Sequence, residues 1–314
     1  MRILVVGAGA IGGYFGGRLI EAGRDVTFLV RPRRAAELES GGLVIRSATG
    51  DFTAPTPQTV LAENLKQAFD LILLSCKAYD LDGAIASFAP AVGPATTVLP
   101  LLNGMRHLDV LDQHFGREHV LGGQCYIAAT LDAQRTIVHL NTDHELTFGE
   151  RAGGDSDRIR AIAQTMQGVK FKPRLSHEIV QEMWEKWVFL ASLAGATCLM
   201  RASIGDIMAA PGGPDFILGL LSECGAIAQA NGHAPRAGLV ERYRGALTAA
   251  GSPLTASMLR DIERNAAIEA DHIIGDLIAR GDRTADRTDS PDSSSLLRLA
   301  YAHLKAYEAR RERS

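Results

Sequence analysis

The chain opens on an unbroken apolar run, Ile3 to Val6, the pattern of a parallel strand covered on both faces. From Ile11 to Ala22 the apolar positions fall at helical spacing, and Gly23 ends that pattern. A second strand is predicted at Val26 to Val30 and a short helix at Pro32 to Glu39. Further strands are predicted at Leu43 to Ser47, Leu71 to Ser75 and Thr96 to Leu99. Strands alternating with helices predict a βαβ domain with right-handed crossovers. Between Val120 and Gly149 the texture changes to period-two segments, Tyr126 to Leu131, Thr136 to Leu140 and Glu145 to Phe148. These predict antiparallel strands that extend the sheet. A helix is expected over Asp157 to Gln167.

After Pro173 strand signals stop. Helical patterns run over Ser176 to Met200, Asp215 to Asn231, Pro253 to Arg280 and Ser293 to the end, with a polar loop over Gly281 to Ser295. The fold class is therefore α/β, with a mixed domain over 1–172 and an all-helical domain over 173–314. Trp187 to Met200 carries no charge but spans only 14 residues. That is short of the roughly 20 a bilayer needs, so it reads as a buried core helix.

Composition narrows the function classes. A length of 314 residues fits two domains, and 33 basic against 36 acidic residues give a net charge of −3. The charges are spread along the chain, which argues against a nucleic-acid or membrane-surface protein. Cys76, Cys125, Cys198 and Cys224 lie far apart with no CxxC pair, so neither a zinc site nor a disulfide framework is expected. The nine His residues include no HExxH spacing, and no metal is expected. With no secretory signal at its start, the chain is expected to begin at Met1 in its mature form and to work in a reducing cytoplasm.

The most informative motif is Gly7-Ala8-Gly9-Ala10-Ile11-Gly12, which follows a buried strand and opens a helix. In that context the spacing is a dinucleotide fingerprint: Gly7 for the tight turn, Gly9 for close approach to a pyrophosphate, Gly12 for helix-to-strand packing. The helix amides then face the phosphates with the positive end of the helix dipole. At the end of the second strand stands Arg31, followed by Arg33 and Arg34, where an NAD site usually places a carboxylate. A guanidinium there suits a 2′-phosphate, which favours NADPH.

A nicotinamide site also needs a substrate and a proton source. Lys77 follows the strand ending at Cys76, and Asn103 follows the strand ending near Leu99, so both are placed to face a strand-end crevice. Lys186 stands just before the uncharged run, where partial burial lowers a lysine pKa towards a usable general acid. From spacing alone it also fits a snorkelling lysine at the edge of an apolar helix. Glu269 and Ser257 lie twelve positions apart. One straight helix would hold them about 18 Å apart. If both touch one small ligand the helix must break, and Asn265 is the expected place because Asn tolerates the left-handed conformation.

Taken together, Gly7 to Gly12, Arg31, Lys77, Asn103-Gly104-Met105, Trp184-Glu185-Lys186 and the Ser257-Met258…Glu269 spacing resemble the ketopantoate reductase (2-dehydropantoate 2-reductase) family over essentially the whole chain. The resemblance implies an N-terminal Rossmann-type domain, a helical C-terminal domain and NADPH-dependent reduction of 2-dehydropantoate to pantoate in pantothenate biosynthesis. By the same resemblance Lys186 is the general acid and Glu269 the carboxylate that helps bind substrate. Asn103 and Ser257 are positioning residues, and Lys77 lines the cleft. A homodimer through the helical domain is a further implication.

The departures fall in one place. The family carries asparagines four and eight positions after the lysine and three before the serine, where this chain has Leu190, Ala194 and Leu254. Losing such partners weakens binding of a hydroxylated acid by about 1–3 kcal/mol per unmatched group. A paralogue acting on a more apolar 2-oxo acid or related carbonyl is therefore an alternative. A non-catalytic NADPH-binding sensor is a second.

Overall fold

Apolar residues covered on both faces form the central strand β1 (Arg2–Val6) in the computed structural model, which describes residues 1–284 and 295–313. There follow α1 (Ala10–Glu21), β2 (Asp25–Leu29), α2 (Pro32–Gly41), β3 (Leu43–Arg46), β4 (Phe52–Ala54), β5 (Gln58–Val60), β6 (Leu71–Leu74), α3 (Leu81–Phe88) and β7 (Thr97–Pro100). Five of these strands make an all-parallel sheet in the order β5-β2-β1-β6-β7. The winding reverses between β1 and β6, and in such sheets ligands bind beyond the strand C-termini at that reversal.

The expected antiparallel strands depart from the prediction. After α4 (Arg106–Phe115) come β8 (Gly122–Leu131), β9 (Ile137–Gly149), α5 (Asp157–Thr165) and β10 (Lys172–Leu175). Thr136 to Leu140 and Glu145 to Phe148 are parts of one strand, β9, because the polar stretch between them stays extended. These strands do not extend the parallel sheet. They form a second one, β10-β9-β3-β4, with β8 paired to β9. Strand β3 is drawn into it, leaving β5 to flank β2.

Helix α1 packs on both sheets, and its glycines make this possible. A Cβ on Gly16 would lie 2.6 Å from Phe28 of the parallel sheet, while one on Gly17 would lie 2.7 Å from Ile45 of the second. Beside α1 a polar cluster is partly buried: the Tyr14 hydroxyl bonds His144 Nδ1 at 2.7 Å, and half-buried His144 stacks on His139 at 5.5 Å. The fully buried Arg18 guanidinium lies over the Tyr14 ring and bonds Glu21 and the Gly50 carbonyl. Burial first, then His139 and Arg18, push the His144 pKa below its ordinary value.

By internal contacts the chain divides into Met1–Leu102 with His107–Val180, and Asn103–Arg106 with Gln181–Ser314. Among the described residues the second unit is helical throughout. It comprises the greater part of α6 (Ile179–Met200), then α7 (Ile204–Ala209), α8 (Gly213–Ala230), α9 (Ala237–Leu247), α10 (Ser257–Glu263), α11 (Asp276–Thr284) and α12 (Leu296–Arg311). The uncharged run lies in α6 with Trp187, Ala191, Ala196 and Cys198 fully buried. No helix among the described residues is long and apolar enough to cross a membrane.

The single helix expected over Pro253 to Arg280 is replaced by α10, a break, a π-helical turn at Asp271–Gly275, and α11. The break falls at Asn265, whose φ of 53° is left-handed, and the Ala266 amide bonds back to the Asp261 carbonyl at 2.8 Å. The loop expected over Gly281 to Ser295 begins later, since α11 continues to Thr284. Its portion over 285–294 lies outside the described residues. The last helix starts at Leu296, where Ser295 Oγ accepts from the Arg298 amide at 3.1 Å.

Two outcomes follow from this packing. Gly16→Ala lowers the melting temperature by several degrees, equivalent to about 1–3 kcal/mol of overpacking. Gly83→Ala in α3, where a Cβ meets nothing within 4 Å, holds or raises it; differential scanning fluorimetry of both variants checks the contrast. The second concerns pH. The unfolded chain takes up a proton at His144 near the ordinary 6.5 while the folded chain resists it. Stability is therefore full above about 6.5 and falls as the pH drops below that value. Burial depresses His233 and His272 in the same direction. Urea unfolding at pH 7.5 and 5.5 checks the fall, and His144→Gln shallows it.

Candidate active site

In the first unit the chain turns from β1 into α1 through the glycine segment, at the point where the sheet winding reverses. Gly7 takes φ +93°, and its amide bonds the Leu29 carbonyl at 3.0 Å. A Cβ on Gly12 would lie 2.1 Å from Ser75 Oγ and 2.2 Å from the Gly7 carbonyl, so α1 starts as close to the turn as a backbone can. Gly9 instead faces open space, with nothing within 4 Å of a Cβ placed there. It caps α1 without a side-chain bond, and the first helical turn holds no acidic residue. A cradle that excludes side chains on one face, is open on the other and presents uncapped amides fits a pyrophosphate.

Two residues brace this cradle: Ser75, which the sequence reading passes over, and Arg34, which it names only as part of the basic turn after Arg31. Ser75 Oγ, just past the end of β6, donates to the Val6 carbonyl at 2.8 Å. Arg34 Nε donates to the Ala8 carbonyl at 3.1 Å while its Nη1 pairs with Glu37. A hydroxyl at the end of the strand beside β1 is the signal that could have found Ser75; the contact of Arg34 is long-range and leaves none.

Arg31, at the start of α2, extends into solvent and pairs with Asp80 at 3.0 Å, the two side chains being 80% and 41% exposed. Half-buried Lys77 begins the tight turn after β6, with the Asp80 amide bonded to its carbonyl at 2.9 Å.

The remaining candidates belong to the second unit. Lys186 on α6 is only 6% exposed, and its Nζ donates to Asn103 Oδ1 at 3.0 Å. Its neighbour Glu185 is 1% exposed and is engaged elsewhere, accepting from the Arg236 amide and guanidinium. Burial would raise the Glu185 carboxyl, but these bonds to Arg236 outweigh it and hold the group below the usual carboxylate range.

Leu190 and Ala194 follow Lys186 by one and two turns, on the same face of α6. Ser257 opens α10 at an exposed position, its neighbour Ala256 donating an amide bond to Thr197 of α6 at 3.2 Å. Glu269 is half-buried and stands two positions before the start of the π-helical turn, its carbonyl accepting from the Ile273 amide at 2.9 Å. The structure thus gathers Gly7 to Gly12 in one unit and joins Lys186 to Asn103 in the other. Ser257 and Glu269 stand on either side of the break at Asn265, Ser257 opening α10 and Glu269 just before the π-helical turn.

None of the four cysteines is in a disulfide, and burial pushes the thiols of Cys198 and Cys224 up to about 12. They are therefore thiols, not nucleophilic thiolates, near neutral pH.

Comparison with known proteins agrees with this arrangement along the length of the chain. The family model described as Ketopantoate reductase PanE/ApbA matches residues 3–153, and its C-terminal counterpart matches residues 178–291. A Bacillus subtilis protein named Uncharacterized oxidoreductase YkpB is 37% identical, over 98% of this chain and 99% of its own. The 2-dehydropantoate 2-reductase of Mesorhizobium japonicum is 28% identical, over 87% of this chain and 89% of its own. Among solved structures, the 2-dehydropantoate 2-reductase of Methylococcus capsulatus superposes with a TM-score of 0.85 at 28% identity, covering 100% of this chain and 99% of that one. Two family models spanning both units, together with a relative more than one-third identical from end to end, establish that the chain belongs to the ketopantoate reductase family of oxidoreductases.

Proposed function

We propose that the protein reduces a 2-oxo acid to the 2-hydroxy acid with NADPH, and that its substrate is 2-dehydropantoate, giving pantoate for pantothenate synthesis. The observation that carries this reading is the buried Lys186 ammonium held on Asn103 Oδ1 at 3.0 Å. Carbonyl reduction builds negative charge on oxygen, and a cation in a water-poor site both stabilises that charge and neutralises it by giving up a proton.

When bound, NADPH supplies the hydride to the ketone carbon and leaves as NADP⁺. The amides opening α1 take its pyrophosphate, and Arg31 takes its 2′-phosphate. Arg31 must leave Asp80 to do so, but an exposed ion pair is worth at most about 1 kcal/mol and yields readily to a phosphate. Lys77 lines the site. Lys186 Nζ gives its proton to the carbonyl oxygen and recovers one from solvent. Asn103 orients the ammonium, while Glu269 accepts from a substrate hydroxyl and Ser257 bonds the acid. In this reading residues 1–172 hold the cofactor and 173–314 the substrate.

A second reading rests on Leu190 and Ala194, which continue the face of α6 that carries Lys186 with hydrocarbon. It keeps the reaction and replaces the substrate by a more apolar 2-oxo acid.

Oxidation of NADPH by purified protein, followed by absorbance over a panel of 2-oxo acids, tests both. Fastest turnover of 2-dehydropantoate supports the first reading, and of a branched or aromatic acid the second. NADPH binding without turnover of any acid overturns both in favour of a sensor. Lys186→Ala abolishes most turnover while NADPH affinity, read by fluorescence titration, stays within about twofold. Arg31→Ala weakens NADPH binding by about 10- to 100-fold and leaves NADH nearly unchanged, as loss of a charge-assisted contact to the 2′-phosphate requires.

A further inference from the structure

The residues after Glu269 are wound as a π helix, Asp271–Gly275, a geometry that recurs at functional sites. His272 in this turn is only 5% exposed, in a place where a hydrocarbon side chain would avoid the desolvation of an imidazole. It bonds the Asn103 backbone, and because that bond favours the protonated form the ring is the donor and the Asn103 carbonyl the acceptor. The contact is close along its length. Gly104 takes φ +75°, and a Cβ there would lie 3.0 Å from the His272 carbonyl and 3.1 Å from the ring Cδ2. Position 104 therefore has little room for a side chain against His272.

The next residue of the turn grips the other partner. Trp187 Nε1 donates to the Ile273 carbonyl at 2.9 Å, and Trp187 adjoins Lys186 on α6. Consecutive residues of one turn thus hold the backbone behind Asn103 and the helix segment behind Lys186. Burial, with Arg106 in support, keeps the imidazole below its ordinary range against the pull of Glu269 and Asp276. The ring is then neutral near pH 7, and its N–H serves as a fixed, uncharged donor to the Asn103 carbonyl.

We propose that His272 is a positioning residue for the reduction: by holding the Asn103 carbonyl it fixes the side-chain amide on which the Lys186 ammonium rests. The proposal builds on the reading of Lys186 as proton donor, and displacement of such a donor by about 1 Å slows a reaction by up to about 100-fold.

His272→Phe removes the donor and keeps an aromatic ring, whereas His272→Asn keeps an N–H. Two readouts are taken on each: kcat, KM and NADPH affinity with the best acid of the panel, and the rate of Lys186 acylation by acetic anhydride, mapped by peptide mass spectrometry. His272→Phe is expected to lower kcat about 10- to 100-fold with KM and NADPH affinity little changed, and to speed acylation of Lys186 severalfold. His272→Asn recovers most of both even where its melting temperature is no higher. Gly104→Ala, which forces the loop off the ring, reproduces the phenylalanine variant and replaces it if that variant does not fold. Wild-type kcat and acylation in folded His272→Phe, or equal damage in the phenylalanine and asparagine variants, overturns the proposal. Turnover that survives Lys186→Ala sinks the functional reading instead, and the acylation rates still judge His272.

Discussion

A buried ammonium is the constraint around which the second unit is built. Moving a lysine charge out of water is unfavourable by several kcal/mol unless the protein supplies oxygen acceptors. At Lys186 one acceptor is an amide oxygen, Asn103 Oδ1, which is dipolar and uncharged. The adjacent carboxylate, Glu185, accepts from the Arg236 amide and guanidinium. The apolar residues that follow on α6 then keep the local dielectric low, which strengthens any charge formed near Nζ.

The first unit solves a different problem with backbone. On the proposed function phosphates are met by amides, and side chains are kept out of the way by the absence of a Cβ at Gly12, by open space at Gly9, and by a first helical turn without acids. The same economy lets α1 lie against two sheets at once. A turn so poor in side chains needs bracing from outside, which Ser75 gives at the Val6 carbonyl and Arg34 at the Ala8 carbonyl. Neither residue belongs to the glycine spacing, and each is brought to it by the pairing of β6 with β1 or by the start of α2.

How far the sequence speaks depends on the range of the interactions. Local rules read well: β1, α1 and the Gly23 stop follow from apolar period and glycine, and the break at Asn265 follows from the left-handed tolerance of Asn. Strand β9 misleads because Asn141, Thr142 and Asp143 look like a turn. They remain extended because a bulge opposite, between Ile127 and Ala129, is satisfied by Asn141 Oδ1 accepting from the Ala128 amide at 3.0 Å. Strands β4 and β5 have three residues each beside Pro55 and Pro57, and β10 contains Pro173, so nothing in their composition signals a strand. Their order comes from pairing, as when Lys172 and Arg174 of β10 meet Glu145 of β9. Helix α7 did carry a local signal, the reciprocal Ser203–Asp206 cap, while α9 has no side-chain cap to announce it. In the site, Lys186 and Asn103 are legible by position, but His272 is visible only once the π turn brings it to a backbone 169 positions earlier in the chain.

The chemistry of the site constrains reaction more tightly than substrate. On the proposed function, an ammonium held on an amide oxygen can serve any ketone whose carbonyl reaches it, so the step depends on Lys186, Asn103 and what holds them. Selection among acids falls to the rest of the α6 face, which at Leu190 and Ala194 is hydrocarbon. Hydrocarbon discriminates weakly: a pocket built from it rejects an added hydroxyl by only about 100-fold, whereas a pocket of paired polar groups rejects an acid that lacks their partner by 10⁴ or more. On the proposed function, a face of this kind admits a family of 2-oxo acids with graded rates.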